Sequence, residues 1–379
     1  MTLKLIWVNR QQTLFIKIIL LQYYSMPKLI SLDILRVIAI FFILITHSGI
    51  YISNSPVEHF FSTYFASFGI ALFVFVSGYS LYLNNNSINS FEDILKFYKK
   101  RLLRIFPLYW LALISFIIIF WFLVPIYAPS QIVNSYQSEL NSYFTIGNMA
   151  ITFFGLEIFL SPEYATPIFT LWYIGLILIF YFLFPILIRW SKNSKELIFH
   201  SILVLIFFLI LRFLFNIIDI RFFNFYFIFI IGILACRSQI FINKGYSKFL
   251  ILLPSLMVFS LILDNYVKTI ITSNIFGYFV TQSIFFTILA SAFCIIQFYF
   301  ASSFSENFTE KTILFIGSIA FSSYCVYLFH RQFLTLVYGA CYFLHFGSII
   351  SNIVIIFIGI PILFVGSFYF QKIVNKIGF

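Results

Sequence analysis

Three ionisable residues sit in an apolar stretch near the start of the sequence: Asp33, Arg36 and His47 in LDILRVIAIFFILITHSG, residues 32–49. Charge inside a membrane-length run is costly and marks a functional site by default. Arg36 and His47 are eleven positions apart, close to three turns of an α-helix. They therefore share a face, with about 16 Å between them along the axis. Imidazole is the side chain best suited to move protons near neutral pH. A guanidinium at the other level suits an anion, and Asp33, one turn before Arg36, can hold its orientation. The bland alternatives are an Arg36 that snorkels to lipid phosphates and a His47 that only packs. The shared face argues against both holding together.

Other groups join this pair. His330, in CVYLFHRQFL, lies in a late apolar run at a depth close to that of His47 and is followed by Arg331. In KKRLLR, residues 99–104, Arg101 and Arg104 are one turn apart with Lys100 beside them. Such a pair can clamp an anion, and coenzyme A offers a 3′-phosphate and a pyrophosphate. The competing reading is a topology signal that also attracts anionic lipid. Ser77 and Gly78, in VSGYS, allow close approach of a ligand or a neighbouring helix, and helix packing is the simpler reading. Glu157 is a carboxylate in an apolar segment, placed to orient His47 or to bind a sugar hydroxyl. Trp172 stands at the end of a span, where an aromatic belt places it.

The elements that carry these groups are set by composition. The chain has 379 residues, 62% hydrophobic and 9% charged, with 56 Phe. Apolar runs long enough to cross a bilayer core of roughly 30 Å recur from residue 34 to residue 371. They are continuous and not alternating, so the fold class is all-α polytopic membrane protein, not a barrel. The net charge of +11 falls mostly between the runs. It reads as positive-inside bias and not as nucleic-acid binding. The four cysteines show no paired spacing, and no metal site is expected.

Counting basic residues between runs gives about ten spans with both termini cytoplasmic. The strongest basic segment, 84–104, precedes a third span at about 105–125. Residues 126–170 carry no Lys or Arg and read as external. Within them the apolar but short segment 146–160 is expected to be re-entrant or interfacial, because a crossing there would invert every later basic loop. A seventh span is expected at about 249–264. Residues 1–30 read as an N-terminal extension, with Met26 as the natural initiator, ahead of a single membrane domain over 31–379.

Taken in order, these segments resemble the integral-membrane acyltransferase-3 family, the O-acyltransferases that decorate surface polysaccharides. LDILRVIAIFFILITH looks like its first-helix motif, with ten residues between Arg36 and His47. FVFVSGY (73–79), KRLLRIFPLYW (100–110) and LWYIGLILIFYFLFPIL (171–187) are similar to its second-helix ending, its Arg-x-x-Arg segment and its Leu-Trp-aromatic helix. YLFHRQF (327–333) resembles a late motif that usually continues with proline; here Gln332 and Phe333 follow.

The resemblance implies a multi-pass enzyme of the cytoplasmic membrane, with acetyl-CoA or another acyl-CoA as donor and an extracytoplasmic or lipid-linked glycan as acceptor. Donor phosphates are expected at Arg101, Arg104 and Lys100 with Ser77 nearby, and the pantetheine arm would span the distance from Arg36 to His47. His47 then deprotonates a hydroxyl or first takes the acyl group itself. His330, Glu157 and Trp172 are candidates for support or acceptor binding, and membrane lipids are the remaining partner. Two other classes fit ten spans: a glycan or lipid-linked sugar flippase, and a polysaccharide polymerase. The first leaves the two levels of Arg36 and His47 unexplained. The second usually needs a basic external loop, and 126–170 has none.

Overall fold

A computed structural model describes residues 27–48, 56–124, 140–238 and 275–377. Among them every regular element is helical and none is a strand. The elements are α1 (Pro27–His47), α2 (Pro56–Asn84), α3 (Phe91–Ile117, continued by a π-helical stretch Ile118–Leu123), α4 (Ile146–Phe153), α5 (Glu157–Leu160), α6 (Trp172–Trp190), α7 (Ser194–Phe215), α8 (Ile220–Ser238), α9 (Ile275–Ser305), α10 (Glu310–Phe343), α11 (Ser348–Val354) and α12 (Ile360–Ile377), with a second π-helical stretch, Ile355–Gly359, joining the last two. Helices satisfy every backbone group within the segment, which is what apolar surroundings demand. Nine helical stretches among the described residues are long and apolar enough to span a membrane. They match nine of the ten expected runs; the run at about 249–264 lies outside the described residues, as does the extension up to Met26.

One boundary differs from expectation. The basic segment 84–104 is mostly helix, because α3 starts at Phe91. Ser90 and Asp93 form a capping box: the Ser90 hydroxyl accepts from the Asp93 amide at 3.1 Å, and the Asp93 carboxylate accepts from the Ser90 amide at 2.9 Å. That pair satisfies two orphan donors, and Glu92 and Asp93 complement the positive end of the helix. Lys96, Lys99, Lys100, Arg101 and Arg104 therefore stand on helix α3 and not on a loop.

The helices α1 and α2 run antiparallel, and α2 meets α8 at a crossing where two glycines let the backbones touch. A Cβ added at Gly78 would lie 2.2 Å from the Phe229 carbonyl oxygen, and one added at Gly232 would lie 2.2 Å from that of Phe75. Backbone approach through small residues is the usual glue between helices in lipid. The long helix α10 packs on α1, α3 and α12. By contrast α7 exposes Phe199, Phe207, Ile210 and Phe213, an apolar flank suited to lipid.

The segment 146–160 does not span. It folds back at Gly155, whose φ of +67° is a conformation that glycine adopts without strain. Tyr109 and Trp110 of α3 pin it by donating to the carbonyls of Thr152 (2.7 Å) and Phe153 (3.0 Å). The two residues before α8 pin the other arm, with the Ile218 and Asp219 amides donating to the carbonyls of Phe159 (3.0 Å) and Ile158 (2.9 Å).

Candidate active site

Arg36 anchors one level of the site. Its guanidinium pairs with Asp33, one turn earlier on α1, and donates to the Ser80 hydroxyl of α2 at 3.1 Å. One turn back on α2, the Ser77 hydroxyl lies 3.4 Å from that of Tyr181 on α6. Arg101 of α3 then leans on the same Tyr181 ring, 5.6 Å from its centroid, and on Phe97 at 5.3 Å. Two serines on one helix turn thus connect the two arginines. The Arg101 Nε is buried without a hydrogen-bond partner, and Arg104 and Lys100 are exposed.

A column of tyrosines rises from there. Tyr173 and Tyr324 lie within electrostatic reach of Tyr181, and Tyr173 within that of Arg36. The Tyr324 hydroxyl donates to the Ile105 carbonyl at 3.1 Å. Tyr173 meets Tyr327 edge to face at 5.1 Å, and Phe73 closes on both, at 6.3 Å and 6.2 Å. The Tyr327 hydroxyl donates to the carbonyl of Thr170, and its ring lies 5.7 Å from that of His330.

The second level is a histidine pair. The rings of His47 and His330 lie 5.2 Å apart. Arg331 places Nη1 3.0 Å from Nδ1 of His47 and stacks over Phe169 at 5.3 Å. The Nδ1 of His330 lies 2.6 Å from the Tyr327 carbonyl oxygen. His330 is fully buried, and its Nε2 has no hydrogen-bond partner.

Glu157 borders the column on the side of the folded-back segment. It is fully buried with its carboxyl against the Cα of Gly175, where an added Cβ would come within 3.0 Å. Neither carboxyl oxygen meets a donor at hydrogen-bonding geometry; the polar groups that act on it first are the amides of Glu157 and Gly175. Burial pushes its carboxyl up to about 8, and those amides and Arg221 offset only part of the shift. Arg221 stacks on Trp172 at 4.7 Å, with Nε 3.6 Å from Asp219. Its Nη1 is buried without a hydrogen-bond partner, and both it and Glu157 lie within electrostatic reach of Tyr327.

The motifs that carry these groups are those of one family, and the Acyl_transf_3 family model, an acyltransferase domain, matches residues 29–372. The chain belongs to the acyltransferase-3 family. No curated protein and no solved structure matches it.

The acyltransferase thus brings together His47 and His330 at one level and Asp33, Arg36, Ser77 and Arg101 at the other, with Glu157 and Trp172 beside the tyrosine column. Arg104 stands within electrostatic reach of Arg101 and Tyr324, and Lys100 is exposed. Arg331 is named in the sequence only as the neighbour of His330, and Arg221, Asp219 and the tyrosines carry no role there. The dipeptide His330-Arg331 held the signal for the first of these, since an arginine midway along an apolar run needs a partner. Among the described residues no cluster of His, Cys, Asp and Glu is arranged to hold a metal ion.

Proposed function

We propose that this membrane acyltransferase moves an acyl group, acetyl as the simplest case, from acyl-CoA to a hydroxyl of a surface or exported glycan. One observation carries the reading: a continuous column of packed side chains links Arg36 and Arg101 to the His47–His330 pair. Arg36, Arg101 and Arg104 can receive the donor's phosphates, and the approximately 16 Å between Arg36 and His47 suits an extended pantetheine arm.

The face that carries Arg36, Lys96, Arg101, Arg189, Lys192 and Lys376 is then the cytoplasmic one. On this reading the histidine pair faces the other side, and Trp172 with Arg221 would offer an aromatic and cationic platform for a sugar. Glu157, protonated at neutral pH, can donate to a hydroxyl there. In the transfer the hydroxyl oxygen bonds to the thioester carbonyl carbon, the carbon–sulfur bond breaks, and the hydroxyl proton ends on coenzyme A. Transfer through an acyl-histidine would add a step in which a ring nitrogen bonds to the acyl carbon and the thiol leaves, before the acceptor hydroxyl displaces the imidazole, and would give ping-pong kinetics.

Mass spectrometry of surface glycans from cells with and without the chain tests the reading. An acyl mass increment lost with the chain, and not restored by His47→Ala, is the expected result; unchanged acylation would remove the enzyme assignment.

A further inference from the structure

We infer that His330, and not His47, is the base that takes the acceptor's proton, while His47 donates a hydrogen bond to the oxyanion. The inference rests on the acyl-transfer reading above and divides its labour between two rings.

The heavy-atom positions assign the tautomers. A guanidinium has only N–H groups to offer and cannot accept. The ring nitrogen 3.0 Å from Arg331 Nη1 is therefore the bare one. His47 is neutral, its proton is on Nε2, and its single lone pair is already engaged. A carbonyl oxygen, in turn, can only accept, so the His330 nitrogen 2.6 Å from the Tyr327 oxygen carries the proton. A charged ring would be costly at this fully buried place beside Arg331, where Nε2 meets no partner. His330 is therefore the Nδ1–H tautomer, and its Nε2 is a bare lone pair. The backbone of α10 orients it, since Tyr327 lies one turn before it.

Of the two rings, only His330 has a lone pair free to accept a proton. Its partner, 5.2 Å away, has a ring N–H free to donate. In the reaction, Nε2 of His330 takes the proton as the acceptor oxygen bonds to the thioester carbon. The negative charge gathering on the carbonyl oxygen meets the His47 Nε2–H, which Arg331 holds in that tautomer. The tetrahedral centre then collapses, the carbon–sulfur bond breaks, and His330 returns the proton to the departing thiolate. Atoms and charge balance without a co-reactant. His330 is fully covered and His47 is half-buried, so substrates would reach the pair from the His47 side.

The full chain in lipid nanodiscs, labelled with 15N-histidine, reports the tautomers directly. His47→Gln and His330→Gln assign the two resonance pairs among the five histidines. The expected pattern is a proton on Nε2 of His47 and on Nδ1 of His330; the reverse at His330 overturns the inference, and this test needs no variant to be active. The same samples are given acetyl-CoA alone, with water as the acceptor, and thiol release is followed.

His330→Gln should lose about 10²- to 10⁴-fold, the usual worth of a positioned base. His47→Ala should lose about 10²- to 10³-fold, while His47→Gln, whose amide can still donate, stays within about tenfold of wild type. A His47→Gln variant as inactive as His47→Ala, beside an active His330→Gln, overturns the assignment while leaving acyl transfer intact. A wild-type chain that releases no thiol from acetyl-CoA, and whose loss leaves glycans unchanged, overturns both.

Discussion

Arg331 and His47, 284 positions apart, meet through a hydrogen bond of 3.0 Å from guanidinium to ring nitrogen. The bond joins the two helices that contribute the histidines, α1 and α10. It fixes both the rotation of the His47 ring and the nitrogen that carries its proton. Arg331→Ala should therefore lower turnover about 10²-fold, the cost of misplacing a reacting group by about 1 Å, with little change in the half-saturating acyl-CoA concentration. Steady-state thiol release across acyl-CoA concentrations separates the two effects. An equal loss through weaker donor binding would move Arg331 to the phosphate site.

At the other level the arginines predict a split within one basic segment. Arg101 is tied into the site through Tyr181, whereas Lys100 is exposed. Arg101→Ala should raise the half-saturating acyl-CoA concentration about 10- to 100-fold, as expected for a charge-assisted bond to phosphate. Lys100→Ala should change it by less than about twofold. Binding of radiolabelled acetyl-CoA to the purified protein measures both, and equal effects would return the segment to a topology role.

Glu157 predicts a pH dependence of stability. Its carboxyl is raised from 4.5 to about 8 in the folded chain, so folding favours the protonated form. Its contribution is complete below the unfolded value and is lost as pH rises through the folded value. The thermal midpoint should thus fall between about pH 5 and about pH 9, and Glu157→Gln, which stays neutral, should flatten that slope. A slope unchanged by the substitution would assign the pH dependence to other groups.

Helix packing gives a prediction independent of any chemistry. Gly78→Ala places a methyl against the Phe229 carbonyl, where something must shift, and should lower the thermal midpoint by several degrees, equivalent to roughly 1–3 kcal/mol of overpacking. Gly317→Ala, with open space around the new carbon, should raise stability by about 0.5–1 kcal/mol through helix propensity. Thermal unfolding followed by intrinsic tryptophan fluorescence compares them. Equal midpoints would mean that the α2–α8 crossing tolerates a methyl.

Much of this was legible in the sequence where a local rule decides. Apolar runs specify helices because nothing else satisfies the backbone in lipid, and Arg36 and His47 share a face by helical periodicity alone. The short segment 146–160 was read as non-spanning from charge parity, and the turn at Gly155 has that form. The start of α3 was missed although Ser90 and Asp93 have capping-box spacing, because the dense lysines and arginines after them read as a loop. What stayed hidden is tertiary. No local pattern says that Arg331 turns toward α1, that Tyr181 bridges Ser77 and Arg101, or that Arg221 lies over Trp172. Those contacts depend on crossings such as that of Gly78 with Gly232, whose partners are far apart in the chain.

The tyrosine column has one more consequence. A passage through a membrane wide enough for a pantetheine arm would, if it stood open and wet, dissipate the ion gradients across that membrane. Tyr173 and Tyr327 are buried against each other and against Phe73, so these phenol rings would stopper such a passage at rest. On the proposed reading the donor itself parts the stopper and fills the gap it makes, and electrical tightness is preserved at every stage of the cycle.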